Sequence, residues 1–193
     1  MQRRDFVKGL GIAAVPLVGS SLLSCESVND SNTNDGNWTA DFNIMKEIAE
    51  IEAVAIHTYQ AAIDSTLLNP ANTATAELFK SHHTDHLGAY NTALQDKDWA
   101  AVNLSDYTFD PRLADVTTEL GALQLALRLE FEAASFYYEK ITGDVTTQKV
   151  RMLFANIFPM EMGHVVTFKS ALGLDDPNGE TGLFEDFSNG LTT

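Results

Sequence analysis

Between residues 40 and 173 the chain carries four apolar stripes of helical period separated by polar breaks. Residues three and four apart share one face of a helix. On that spacing Ile48, Glu52, Ala55, Tyr59 and Ile63 fall on one stripe, and Phe79, His83, His86, Tyr90 and Leu94 on a second. A third runs through Leu123, Leu127, Glu130, Ala133, Tyr137 and Ile141, and a fourth through Val150, Leu153, Ile157, Glu161, His164 and Phe168. The spacing predicts helices over 40–68, 73–96, 111–142 and 146–173. Asn69-Pro70-Ala71-Asn72 and Thr142-Gly143-Asp144 are breaks short enough to join antiparallel neighbours. The stretch from Asp96 to Pro111 is longer and carries Trp99, Tyr107 and Phe109. Extended at ~3.3 Å per residue, it reaches the ~35 Å length of a bundle helix. The expected fold is therefore all-α, a four-helix bundle of two antiparallel hairpins joined by a long crossover, occupying 40–173.

The polar members of these stripes repeat. Glu52, Ala55, Tyr59, His83 and His86 recur as Glu130, Ala133, Tyr137, Glu161 and His164, at a constant offset of 78 residues. Such internal similarity implies that each hairpin brings matching chemistry to the interior. A buried charge costs several kcal/mol unless it is paired or bound to a cation. Carboxylates and imidazoles on all four apolar stripes therefore point to metal ligation by Glu52, His83, His86, Glu130, Glu161 and His164. For His83, hydrogen bonding to a true ligand stays open as an alternative. Tyr59 and Tyr137 each follow a ligand Glu by two turns, where a hydroxyl either completes a core position or orients a metal carboxylate. His82 and His57 lie off the stripes and are expected in solvent, as are Glu50, Glu132 and Glu139, although Glu132 is within sequence reach of hydrogen-bonding a ligand. Trp38 and Trp99 carry no readable signal.

A Glu from each of two helices and a Glu-x-x-His from each of the other two form the inner shell of the ferritin-like di-metal carboxylate proteins. Over residues 40–173 the chain resembles that superfamily, including its rubrerythrin-like and desiccation-related bacterial members. Glu52-x-x-Ala55-x-x-x-Tyr59, Glu130-x-x-Ala133-x-x-x-Tyr137 and Glu161-x-x-His164 carry the resemblance, and His83-Thr84-Asp85-His86 departs from it by placing histidine where the family has glutamate. The resemblance implies a site for two divalent metal ions, Fe or Mn, or for one ion only, reacting with O2 or peroxide. The family's bridging glutamate offers two oxygens, whereas a neutral imidazole offers one lone pair. With Glu52, Glu130 and Glu161 as the anions, two divalent ions leave the site at +1, which favours divalent states. Two functions follow: an oxidoreductase of ferroxidase, peroxidase or catalase-like type, or a non-catalytic envelope protein that holds metal or is stabilised by it.

Residues 1–24 look like an export leader. Arg3-Arg4-Asp5-Phe6-Val7-Lys8 resembles the twin-arginine signal, and the apolar run from Gly9 to Leu23 is too short and too rich in Gly and Pro to span a bilayer as a finished helix. Leu22-Leu23-Ser24-Cys25 resembles a lipobox in which Cys25, the single cysteine, is lipidated. Residues 25–39 are rich in Ser, Asn, Asp and Gly and read as a flexible tether. The expected location is thus periplasmic or cell-envelope, with membrane contact through the lipid anchor alone. A formal charge of −15 disfavours nucleic acid and anionic lipid as partners. Association into a homodimer stays open. Residues 174–193 form a polar tail whose Asp175-Asp176-Pro177-Asn178-Gly179 reads as a turn.

Overall fold

The computed structural model describes residues 36–174, which hold four α-helices and no strand. Helix α1 spans Trp38–Asp64, α2 Pro70–Gln95, α3 Glu119–Glu139 and α4 Gln148–Ala171. Helix α1 packs along α2 and α3 along α4. The all-α bundle of two hairpins anticipated from the stripes is the fold observed. The export leader, Cys25, most of the tether and the tail beyond 174 lie outside the described residues.

Three of the four helix starts have a local cause. Asn37 accepts a hydrogen bond from the Ala40 amide, and Asn69 accepts from Ala71 and Asn72 with Pro70 in the first turn. Helix α1 therefore begins inside the stretch assigned to the tether, and Trp38 belongs to the bundle: its ring lies 5.3 Å from Phe42, which lies 5.0 Å from Trp99. Helix α3 begins eight residues later than the stripe suggests. Asp110 caps a short 3₁₀ turn over Pro111–Asp115, Val116 and Thr117 separate it from the helix, and Thr118 accepts from the Gly121 amide to start α3 proper. Helix α3 ends in a π-helical turn, Lys140–Asp144, in which the Val145 amide reaches the Lys140 carbonyl at 3.0 Å.

The crossover is stitched down along its course. Asn91 on α2 exchanges two hydrogen bonds with the backbone of Val102, at 2.7 and 2.9 Å. His57 on α1 lies 3.0 Å from the Leu104 carbonyl, and Thr58 accepts from the Asp110 amide at 2.8 Å. Arg112 then forks onto both oxygens of Glu132 on α3. His57 and Glu132 thus secure the crossover, and neither touches the ligand set.

Two apolar clusters make the core. One gathers Phe42, Met45, Ile48, Tyr90, Leu94 and Phe154; the other gathers Tyr59, Phe79, Leu127, Val165 and Phe168. On α2 and α4 the ionisable stripe residues fall between the two clusters, so helix packing itself forces His83, His86, Glu161 and His164 inside. Among the described residues no helix is long and apolar enough to cross a membrane.

Candidate metal centre

Six side chains from four helices converge in this middle layer. Glu52 comes from α1, His83 and His86 from α2, Glu130 from α3, and Glu161 and His164 from α4; all six are buried. His83 sits between two carboxylates, its Nδ1 2.7 Å from Glu52 Oε2 and its Nε2 3.2 Å from Glu130 Oε1. With a carboxylate oxygen facing each nitrogen, His83 is an imidazolium donating in both directions. Burial opposes that charge, but Glu130 and Glu161 outweigh it and hold the imidazole well above its ordinary value. Burial likewise opposes ionisation of Glu52, and the hydrogen bond from His83 overrides it, lowering that carboxyl to about 2. Glu130 is held lower than an ordinary glutamate in the same way, by the charge of His83 and the hydrogen bond from His164.

The opposite half of the site is less complete. Glu161 Oε1 lies 2.9 Å from His86 Nδ1, and Glu161 Oε2 3.6 Å from His164 Nδ1. These approaches are close enough for charge attraction, yet neither Glu161 oxygen nor His86 Nδ1 has a hydrogen-bond partner, and all three atoms are buried. An unsatisfied buried acceptor costs about 1–3 kcal/mol, more when charged. The two oxygens of Glu161 each face a different imidazole, the disposition that lets one carboxylate serve two positions.

The tyrosines cross between hairpins. Tyr59 on α1 donates to Glu130 Oε1 on α3, and Tyr137 on α3 donates to Glu52 Oε1 on α1 at 2.5 Å. Tyr90 then donates to the Tyr137 hydroxyl at 2.9 Å. Each repeat's tyrosine orients the other repeat's carboxylate.

Sequence periodicity misplaced His82. It is not in solvent but half-buried, with Nδ1 2.9 Å from His164 Nε2 and its ring parallel to the His164 ring within 4°. Phe79 stacks against both rings, 3.9 Å from the His164 centroid and 5.9 Å from that of His82. A stripe analysis assigns each position to its own helix face; it does not see that a residue 100° off the face meets a neighbouring helix.

The donor set meets the chemistry of a cation. Glu52, His83, His86 and Glu161 offer four atoms within 4.8 Å of one another, and so do His83, Glu130, Glu161 and His164. Nitrogen and carboxylate oxygen together suit divalent transition metals, and a metal ion would supply the partner that Glu161 and His86 lack. These groups can hold metal ions.

Above Glu52, His83 and Glu130 a cavity of about 600 Å³ opens between α1 and α3. The crossover residues Tyr107, Asp110, Arg112 and Leu113 flank it.

A family model described as a ferritin-like domain matches residues 40–174. No curated protein matches the chain. A crystal structure of a conserved hypothetical protein from Mycobacterium tuberculosis superposes with a TM-score of 0.61 at 16% identity, covering 70% of this chain and 99% of that one. At that identity the likeness speaks to the fold.

Proposed function

The chain belongs to the ferritin-like domain family, and from that premise we propose that it is an exported metalloprotein whose Glu52, His86, Glu130, Glu161 and His164 hold Fe or Mn ions for reaction with O2 or peroxide. The observation that carries this reading is the unsatisfied buried trio of Glu161 Oε1, Glu161 Oε2 and His86 Nδ1 inside an otherwise hydrogen-bonded cluster. Iron or manganese would supply redox electrons and Lewis acidity there. The protein's own part is distinct. Tyr59 and Tyr137 fix the carboxylate planes of Glu130 and Glu52. As acceptor of an N–H on His164 Nε2, His82 would place the His164 lone pair on Nδ1, which lies 3.0 Å from Glu130 Oε2 and would exchange that contact for an ion. The two apolar clusters flank the layer, and the cavity between α1 and α3 is its open side.

A second reading has its own support. His83 already bridges Glu52 and Glu130 by hydrogen bonds at 2.7 and 3.2 Å, a cation built from the protein itself. On this reading the site holds a single ion or serves stability alone, without turnover. Anaerobic loading with Fe(II) followed by admission of O2 separates the two: oxygen uptake and ferric absorbance are expected for the first reading. A protein matured through its native export path that contains only zinc, and consumes no oxygen after iron loading, overturns it.

Export and lipidation complete the proposal. Lysines in place of Arg3 and Arg4 are expected to retain the precursor inside the cell, and Cys25→Ala to abolish palmitate labelling; a processed but unlipidated native protein refutes the anchor.

A further inference from the structure

The alanines of the repeated motif have no part in metal chemistry, yet Ala55 and Ala133 occupy equivalent places, 78 residues apart. Both are part-exposed, and both line the cavity above Glu52, His83 and Glu130. Their small side chains leave open the space between α1 and α3 that larger residues would close.

The cavity is elongated. Its lining on α1 runs from Glu47 to Ala62 and on α3 from Ala122 to Phe136, a trough of ~20 Å at ~1.5 Å rise per residue. Ile51, Val54 and Ala55 on one wall face Leu125, Leu129 and Ala133 on the other. Polar atoms interrupt this apolar lining near its middle, where Glu52, Tyr59, His83 and Glu130 reach it. A volume of about 600 Å³ falls in the range of small-molecule sites, which combine apolar walls with a few fixed polar groups.

Charge narrows the occupant. Glu47, Glu50, Asp110 and Glu132 stand around the trough against Arg112 and the inner imidazolium of His83, which is already held between Glu52 and Glu130. Arg112 is already forked between Asp110 and Glu132, so an anionic head group meets carboxylates and no free cation. A positively charged head fares no better in the middle of the trough. The Glu52 and Glu130 oxygens there already accept from Tyr137, Tyr59, His83 and His164. A second copy of this chain would offer a convex helix face, whereas the polar groups lie at the bottom of a recess partly walled by the strapped crossover.

We infer that the trough between α1 and α3 binds a neutral, chain-like organic molecule whose apolar body lies between the Ala55 and Ala133 walls. As the substrate side of the metal chemistry, it rests on the function proposed above. As a binding site it stands without it.

The test is calorimetric titration of the full-length chain with 1-octanol and with sodium octanoate, alongside a separate Mn(II) titration. Saturable 1-octanol binding is expected, with octanoate at least 10-fold weaker. Ala55→Phe and Ala133→Phe project into existing space, so both are expected to melt as the native chain does while binding 1-octanol at least 10-fold more weakly. Met160→Phe, on an exposed position of α4 that does not line the trough, controls for added apolar surface and is expected to bind as native. Equal affinity for octanoate, or native-like octanol binding by both folded alanine variants, overturns the inference. So does a native dimer that excludes octanol and is dissociated by Ala133→Glu. Octanol binding without Mn(II) binding sinks the metal reading alone, and the reverse result sinks the trough alone.

Discussion

His83 decides more than any other residue in the site, because it is the one place where the two repeats disagree in charge. Its partner at the same offset is Glu161, and the two residues behave oppositely: His83 is fully hydrogen-bonded, while Glu161 has no hydrogen-bond partner. Replacing His83 by Glu exchanges a buried cation for a fourth buried anion. Breaking a buried pair in this way costs roughly 3–5 kcal/mol when nothing else compensates. The His83→Glu variant is therefore expected to melt well below the native chain without metal, and to regain the loss on adding Mn(II), with stoichiometry moving toward two ions per chain. Thermal melts with and without Mn(II), beside equilibrium dialysis, check this; a variant with native metal-free stability and unchanged stoichiometry contradicts it. His82 carries a different expectation. Groups that hold a ligand imidazole in place typically matter by ~10–100-fold in metal affinity. His82→Ala is expected to lose about that much and His82→Gln, which can still pair with His164 Nε2, to recover part of it. Competition with a chromophoric chelator measures both, and equal affinity in all three proteins would leave His82 a bystander.

At the scale of elements, the interior faces were legible in the sequence and the joints were not. Periodicity placed Glu130 and Tyr137 on the inner face of α3, and burial agrees. It extended that helix back to 111 because a stripe records only which residues are apolar. The late start comes from Asp110 and Thr118, two competing caps eight residues apart, with Pro111 favouring the earlier turn. The start of α4 was hidden in the same way. Thr147 makes no side-chain cap; Asp41, buried on α1, instead accepts from the amides of Thr146 and Thr147, more than 100 residues away. Gly36 is drawn tightly against the same segment. With φ of +64°, a Cβ there would stand 2.8 Å from the Thr147 nitrogen. Burial raises the Asp41 carboxyl, but its bonds to Thr147 and Thr146 prevail and hold it below the ordinary value of 3.8. A depressed folded value means the stabilisation is complete above the unfolded value and fades as pH falls through the folded one. Asp41→Asn is expected to lose about 1–3 kcal/mol at neutral pH. The gap between mutant and native chain should narrow toward pH 3. Urea denaturation at the two pH values reads both numbers, and a gap that widens in acid would place the stabilisation elsewhere.

For the whole molecule, the repeat foretold a symmetric centre, and the structure keeps the symmetry of the carboxylate–tyrosine exchange while breaking it one residue further out. Tyr59 reaches Glu130, and Tyr137 reaches Glu52. Tyr90, however, corresponds to Phe168, so only the Tyr137 hydroxyl has a second tyrosine behind it. The repeat could not reveal this, since Tyr and Phe are equivalent as apolar stripe positions and differ only in what the hydroxyl meets. The consequence is an unequal pair of mutations. Tyr59→Phe removes one donor from Glu130 Oε1, which keeps His83 within 3.2 Å. Tyr137→Phe removes the donor to Glu52 Oε1 and also the acceptor of the fully buried Tyr90. Each orphaned buried polar group costs about 1–3 kcal/mol, so Tyr137→Phe, which orphans two, should destabilise well beyond Tyr59→Phe, which orphans none. Adding Tyr90→Phe to Tyr137→Phe removes one of the two orphans and should restore part of the loss, a coupling of roughly 0.5–3 kcal/mol for residues in contact. A double-mutant cycle by urea denaturation of the metal-free chain measures it. Equal losses for the two single variants, or strict additivity in the cycle, would mean that the Tyr90–Tyr137–Glu52 chain does not act as a unit, and that the two halves of the site are as alike in energy as their sequence repeat makes them look.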